Sequence, residues 1–286
     1  MWTIANKRSA LSPRAVRAAA VVSELLRMRH LVVSLAWRDV RVRYAQSFLG
    51  LGWTLALPIV TMLVFVFVFT RAMDGRAIAG VEMPYALYVY TGIVPWTFFS
   101  AGLVSSLNSL VANRNLVTKV YFPREVFPLS CVLASFADFL AGLAVFLLLT
   151  GYMSGRGAWT VTLGWTWLAL PVLILIQAAL TTGLGMILAL ANLLYRDVRQ
   201  VIGVLLQLAM FVSAVVIPVP RDGSLLARVL SYNPMVALLD GYRECLILAR
   251  PPNVGALLYA AAVSSAVLVV GWWSFRKMSP RFAECI

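Results

Sequence analysis

The sequence predicts an all-α polytopic membrane protein with six transmembrane helices, and three observations predict it. Of 286 residues, 62% are apolar and 12% charged, against roughly 45–50% and 25% in soluble domains. The apolar residues fall into nearly charge-free windows of about 20 or more, the length at which a helix crosses a ~30 Å hydrocarbon core with its backbone polar groups paired internally. The basic residues, 24 Lys and Arg against 11 Asp and Glu, lie in the tails and in short gaps between those windows. That distribution fits a bilayer and its anionic lipid better than nucleic acid, which needs one basic soluble face. Cysteines at Cys131, Cys245 and Cys285 are too scattered for a disulfide framework.

Taken in order, residues 1–48 read as a cytoplasmic tail that ends in an amphipathic interface helix. Residues 1–22 carry four basic side chains and no apolar core, so no cleavable signal is expected. From Ser34 to Gln46, Leu35, Ala36, Trp37, Val40 and Tyr44 alternate with Arg38, Asp39, Arg41 and Arg43, as a helix at the membrane surface requires. Anchoring to lipid and docking a partner both need this pattern. Residues 49–275 form the transmembrane domain, with spans over 49–70, 83–113, 126–155, 169–192, 200–220 and 251–275; residues 276–286 are a second tail.

Two connections carry structure of their own. In 113–122, Leu116, Val117, Val120 and Tyr121 recur at helical spacing, bounded by Asn113 and Pro123. This is a connector packed on the membrane face or a docking helix. In 221–250 the longest charge-free piece, 229–239, has 11 residues and includes Asn233-Pro234. It is too short to span, so short re-entrant outer helices are expected there, with Asp240, Arg243 and Glu244 reaching water or each other. The tails and even-numbered gaps hold 17 Lys and Arg against 7 in the odd-numbered gaps. The positive-inside rule therefore places both termini in the cytoplasm. Treating 229–249 as a seventh span would put Arg276, Lys277 and Arg281 outside, against the same rule.

Catalytic constellations are missing. A phosphate-binding loop needs Gly-Lys-Ser/Thr, and none of Lys7, Lys119 and Lys277 follows glycine. The chain is therefore not expected to hydrolyse ATP or to hold a cofactor. The single histidine, His30, reads as a surface residue, and no metal-ligand spacing accompanies it. Asp138 is the one ionisable group well inside a span, which makes it functional by default; the alternative is a carboxyl hydrogen-bonded to Gln177 or to a serine of a neighbouring helix. Most of the aromatics near the second and fourth spans fit an interfacial belt. Positions 88, 92, 95, 96 and 99 share one helical face, on which Gly92 and Pro95 would thin and bend the helix beside an opening. Tyr88, Trp96 and Phe99 are thus candidates to line a conduit, the alternative being a face toward lipid or a second subunit.

The run Trp37-Arg38-Asp39-Val40-Arg41-Val42-Arg43-Tyr44 leads through Gly50, Gly52 and Trp53 into Leu57-Pro58. Tyr195-Arg196-Asp197-Val198-Arg199, Tyr232-Asn233-Pro234 and Pro280-Arg281-Phe282-Ala283-Glu284 follow. Together these resemble the permease subunits of ABC transporters that export polysaccharides such as O-antigen, capsule or teichoic acid. The resemblance implies a homodimer in the bacterial inner membrane, each subunit docked to a cytoplasmic ATP-binding subunit that holds ATP and Mg. A channel along the dimer interface would pass a lipid-linked glycan. It further implies docking through the interface helix (Arg38, Asp39, Arg41, Arg43) and through a coupling helix at 113–122 (Leu116, Val117, Val120, Tyr121). Exporters of drugs or lipids share this permease class. A membrane-embedded glycosyl- or acyltransferase would need convergent Asp, Glu and His residues that the cytoplasmic gaps lack, and a passive structural subunit is the remaining alternative.

Overall fold

A computed structural model describes residues 29–45, 50, 52–72, 81, 83–119, 123–157, 164–195, 197–219 and 224–279. Every regular element among them is helical. Helix α1 is Arg29–Tyr44; α2, Gly52–Phe67, runs into a π turn at Val68–Ala72. Next come α3 (Tyr85–Ala112), the short α4 (Arg114–Lys119) and α5 (Val126–Gly155). A 3-10 turn at Trp165–Ala169 leads into α6 (Leu170–Leu194), and α7 is Val198–Val212. Two short helices, α8 (Leu225–Ser231) and α9 (Pro234–Leu246), precede α10 (Val254–Met278).

Five helical segments are long and apolar enough to cross a membrane: Gly52–Arg71, Tyr85–Ala112, Val126–Gly155, Trp165–Leu194 and Val254–Met278. They answer five of the six expected windows, and α5 begins and ends where its window does. The window at 200–220 is different. Its helix, α7, has 15 residues, about 22 Å at 1.5 Å per residue, and residues 213–217 leave the helix for a turn.

Helix α3 is the axis of the fold, packed between α5 and α6, with α10 laid along α6. Small residues permit these contacts, because without a side chain the backbones approach closely. A Cβ on Gly271 of α10 would sit 2.4 Å from Gly183 O of α6. Pro95 lies inside α3, and the Nε2 of the fully buried Gln177 donates to Pro95 O at 2.7 Å. Gln177 therefore bonds the backbone of α3 at its proline and is not the partner of Asp138.

The two ends of the bundle differ. At one end Leu35 of α1 joins Leu110, Val126, Phe127, Met186, Leu190 and Phe275 in an apolar cluster. There Glu125, 4% exposed, accepts a bond of 2.9 Å from Arg276 Nε, tying the start of α5 to the last turn of α10. At the far end α8 and α9 form a plug. Polar side chains start these two helices and α10: Ser224 Oγ accepts from Ala227 N, Asn233 Oδ1 from Met235 N, and Asn253 Oδ1 from Ala256 N. Pro234 falls at the first position of α9, where the lost N–H is not needed. The expectation of short helices in 221–250 is met in kind, and α9 is seated in the core: Val236, Leu238, Leu239, Tyr242 and Cys245 are all buried.

Candidate functional site

Helix α1 shows which of its faces is committed. Leu35 and Ala36 are buried and Leu31, Val32, Asp39, Val40 and Tyr44 half-buried, a stripe recurring every three to four residues. Its outward face carries Val33, Trp37, Arg41 and Val42; Trp37 and Val42 are 60% and 69% exposed. Trp37, expected in the apolar inward set, lies instead on the outside, with the Arg41 guanidinium 5.7 Å from its ring centroid.

The arginines of α1 separate accordingly. Arg38 donates Nε and Nη2 to Asp39 Oδ1 and Nη2 also to Asn113 Oδ1 at the end of α3. Arg43 turns inward to pair with Asp138 Oδ2 of α5. Arg41 alone of the three is directed outward. The Tyr44 hydroxyl donates to the other carboxylate oxygen of Asp138 and lies 2.7 Å from Thr54 Oγ1 of α2. Burial first, and the bond to Asp138 second, hold the Tyr44 phenol above its usual range, so it remains a proton donor. Between α1, α3 and α5 an open cavity of about 460 Å³ is lined by Arg38, Asp39, Arg43, Asn108, Asn113 and Cys131 among others. The partners of Asp138 are thus Arg43 and Tyr44 in place of the expected Gln177 or serine. No pattern in the sequence announces a partner 95 residues away, because that contact depends on how α1 lies along α5.

The connector at 113–122 is described in part. Leu116 is half-buried and packs on the apolar cluster below α1, as a connector helix would. The side chain of Val117, and Val120 and Tyr121 altogether, lie outside the described residues.

Tyr88, Trp96 and Phe99 are 6%, 5% and 6% exposed. Within this subunit they are core residues. The gap at Gly92 is filled by the protein itself: a Cβ there would lie 2.6 Å from Val215 O and 2.8 Å from Arg243 Nη2. Arg243, expected to reach water or its charged neighbours, is 2% exposed and takes the second course. Its Nη2 donates to Ala214 O (2.7 Å) and Val215 O (3.1 Å), its Nη1 to Asp240 (2.9 Å), and its guanidinium stacks 3.7 Å from the Tyr88 ring centroid. The hydroxyls of Tyr88 and Tyr85 donate to Ala214 O and Val216 O, and Asn233 Nδ2 to Ser213 Oγ. Three successive carbonyls after α7 thus receive side-chain donors, which is why the chain can leave the helix at Val212 with Ala214 at φ +55°. The signal in the sequence was Gly92 four residues after Tyr88, a notch beside a ring.

Among the described residues no group of three His, Cys, Asp or Glu side chains is placed to hold a metal.

The ABC-2 type transporter family model matches residues 30–247, which runs from the second residue of α1 through α9. The chain belongs to the ABC-2 type transporter family. As an ABC-2 type permease it is the membrane subunit of a transporter, and such permeases pair with an ATP-binding subunit. It is similar to the O-antigen export system permease protein RfbA of Myxococcus xanthus, 33% identical over 269 residues, 93% of this chain and 99% of that one. An O-antigen export system permease protein RfbA of Klebsiella pneumoniae is 27% identical over 257 residues, 90% and 95% of the two chains. The polysialic acid transport protein KpsM of Escherichia coli is 24% identical over 246 residues, 86% and 92%.

Proposed function

We propose that this ABC-2 type permease exports a surface polysaccharide of the O-antigen or capsular kind, driven by ATP hydrolysis in a separate subunit. The observation that carries this reading is the similarity to an O-antigen permease along almost the full length of both chains. The substrate is a lipid-linked glycan, and ATP and Mg reside on the partner. Six spans are formed by counting α7 with the five longer helices; both termini are cytoplasmic and α8–α9 re-enter from outside. The charge distribution between tails and gaps supports that orientation.

The permease acts as a homodimer. Helix α7 buries none of its residues within the subunit, and Val201, Val204, Leu205, Leu208 and Phe211 are exposed along it, as are Trp53, Leu57, Val60, Val64 and Phe67 on α2. These faces meet lipid or a second copy, and a conduit between copies runs where they meet. The ATP-binding subunit docks on the outward face of α1, at Trp37, Arg41 and Val42, and on the 113–122 connector.

The test is a strain lacking this chain. Surface polysaccharide is lost, lipid-linked polymer accumulates inside, and the intact chain with its ATP-binding subunit restores display. Normal display in the deletion strain, or restoration without the ATP-binding subunit, would contradict the proposal.

A further inference from the structure

Helix α1 is anchored in two different ways along its length. Its first half is held by apolar burial, through Leu35 and Ala36 with Leu31 and Val32 beside them. Its last turn is held by polar bonds, and these converge on one carboxylate. Asp138 lies 12 residues into α5, about 18 Å along its axis, where an unpartnered charge would be costly. Both of its oxygens are satisfied from α1, Oδ2 by Arg43 and Oδ1 by Tyr44.

The donor count fixes the direction of the remaining bond. A phenol has one proton. Since Tyr44 gives it to Asp138, the contact of 2.7 Å with Thr54 must be Thr54 Oγ1–H donating to the Tyr44 oxygen. The result is a directed chain, Thr54 to Tyr44 to Asp138, with Arg43 closing from the other side, that joins α2, α1 and α5. Hydrogen bonds weaken steeply once stretched or bent, so these three helices move together or the chain opens. The open cavity on the same side of α1 leaves room for α1 to shift, and no other polar bond from α1 to α2 is present among the described residues.

We propose that Asp138 is a positioning residue for transport: with Tyr44 and Arg43 it clamps the end of α1 to α5 and to the first turn of α2, so that displacement of α1 by the ATP-binding subunit moves the first span. This rests on the reading that α1 carries the docking face. Loss of the clamp leaves the two subunits assembled and hydrolysing ATP while transport fails.

The experiment uses the full complex of this chain with its ATP-binding subunit and reads co-purification, ATP hydrolysis and surface polysaccharide for each variant. Asp138→Asn is expected to lower export tenfold or more, with hydrolysis within twofold and co-purification unchanged. Asp138→Glu, which keeps the charge, recovers part of the export. Tyr44→Phe removes one oxygen and with it the bonds to both Thr54 and Asp138 Oδ1, leaves the Arg43 pair in place, and lowers export severalfold in the same pattern. If Asp138→Asn fails to accumulate, Tyr44→Phe decides alone. Unaltered export in Tyr44→Phe, or export and hydrolysis falling in parallel in both variants, overturns the clamp. Arg41→Glu separates the two readings: co-purification that survives it overturns docking on α1 and the proposal with it. Loss of co-purification there, with full export in Asp138→Asn, overturns the clamp alone.

Discussion

Replacing Arg243 with methionine keeps an unbranched apolar stem and removes every bond that the guanidinium makes. Ala214 O keeps the Tyr88 hydroxyl at 3.2 Å, whereas Val215 O loses the donor it has at 3.1 Å, inside a residue with no exposed surface. A buried carbonyl left without a partner costs about 1–3 kcal/mol. The cation stacked 3.7 Å from the Tyr88 ring centroid contributes a further ~0.5–2 kcal/mol. The pair with Asp240, whose side chain is 51% exposed, adds only ~0–1 kcal/mol. Because methionine buries no charge, part of this is offset, and a net loss of about 2–4 kcal/mol is expected. Spread over a chain of this size it lowers the midpoint of thermal unfolding by roughly 3–7 °C. Unfolding of the purified complex in detergent, followed by intrinsic fluorescence, measures it. Tyr88→Phe, which removes one hydroxyl and leaves the ring, should cost about 0.5–1.5 kcal/mol. A midpoint for Arg243→Met within ~2 °C of the parent would refute the reasoning, since the carbonyls after α7 would then have other donors.

Gly271→Val forces side-chain atoms against Gly183 O, which lies only 2.4 Å from where a Cβ would sit; overpacking costs about 1–3 kcal/mol, and an unchanged melting midpoint would remove the α6–α10 backbone contact from the account. Val117→Asp is expected to separate the permease from its ATP-binding subunit, because a carboxylate driven into an apolar groove loses hydration without gaining a partner; normal co-purification and export would leave residues 113–122 as a connector only. Cysteines placed at Arg76, Arg156 and Arg228 should label from outside the cell and those at Asn115, Arg199 and Arg281 should not; failure of Arg228 to label from outside would show that α7 does not cross.

The helices were readable because crossing a bilayer imposes a length and a composition on each one separately. Val126–Gly155 coincides with its apolar window, which only Asp138 interrupts. The 200–220 window has the same composition, yet α7 stops at Val212. The donors that take up the carbonyls beyond it, Arg243, Tyr85 and Tyr88, sit on other elements. Depth was legible and direction was not. Tyr88, Trp96 and Phe99 do share one face, but which neighbour that face meets depends on α9 folding back into the core. The same holds at the other end: an intramembrane aspartate demands a partner, and the partner, Arg43, comes from a helix whose sequence reads as lying apart from the spans.

The proposed function has this chain conduct a polysaccharide with energy supplied by a partner subunit. Vesicles containing the purified chain with its ATP-binding subunit, loaded with lipid-linked polysaccharide on the ATP-accessible side, measure it directly. The account predicts that ATP brings the glycan to the opposite face, where a lectin or glycosidase reaches it, and that the chain without its partner moves none. Equal transfer without ATP, or ATP hydrolysis stimulated by a hydrophobic drug with no glycan moved, would contradict it.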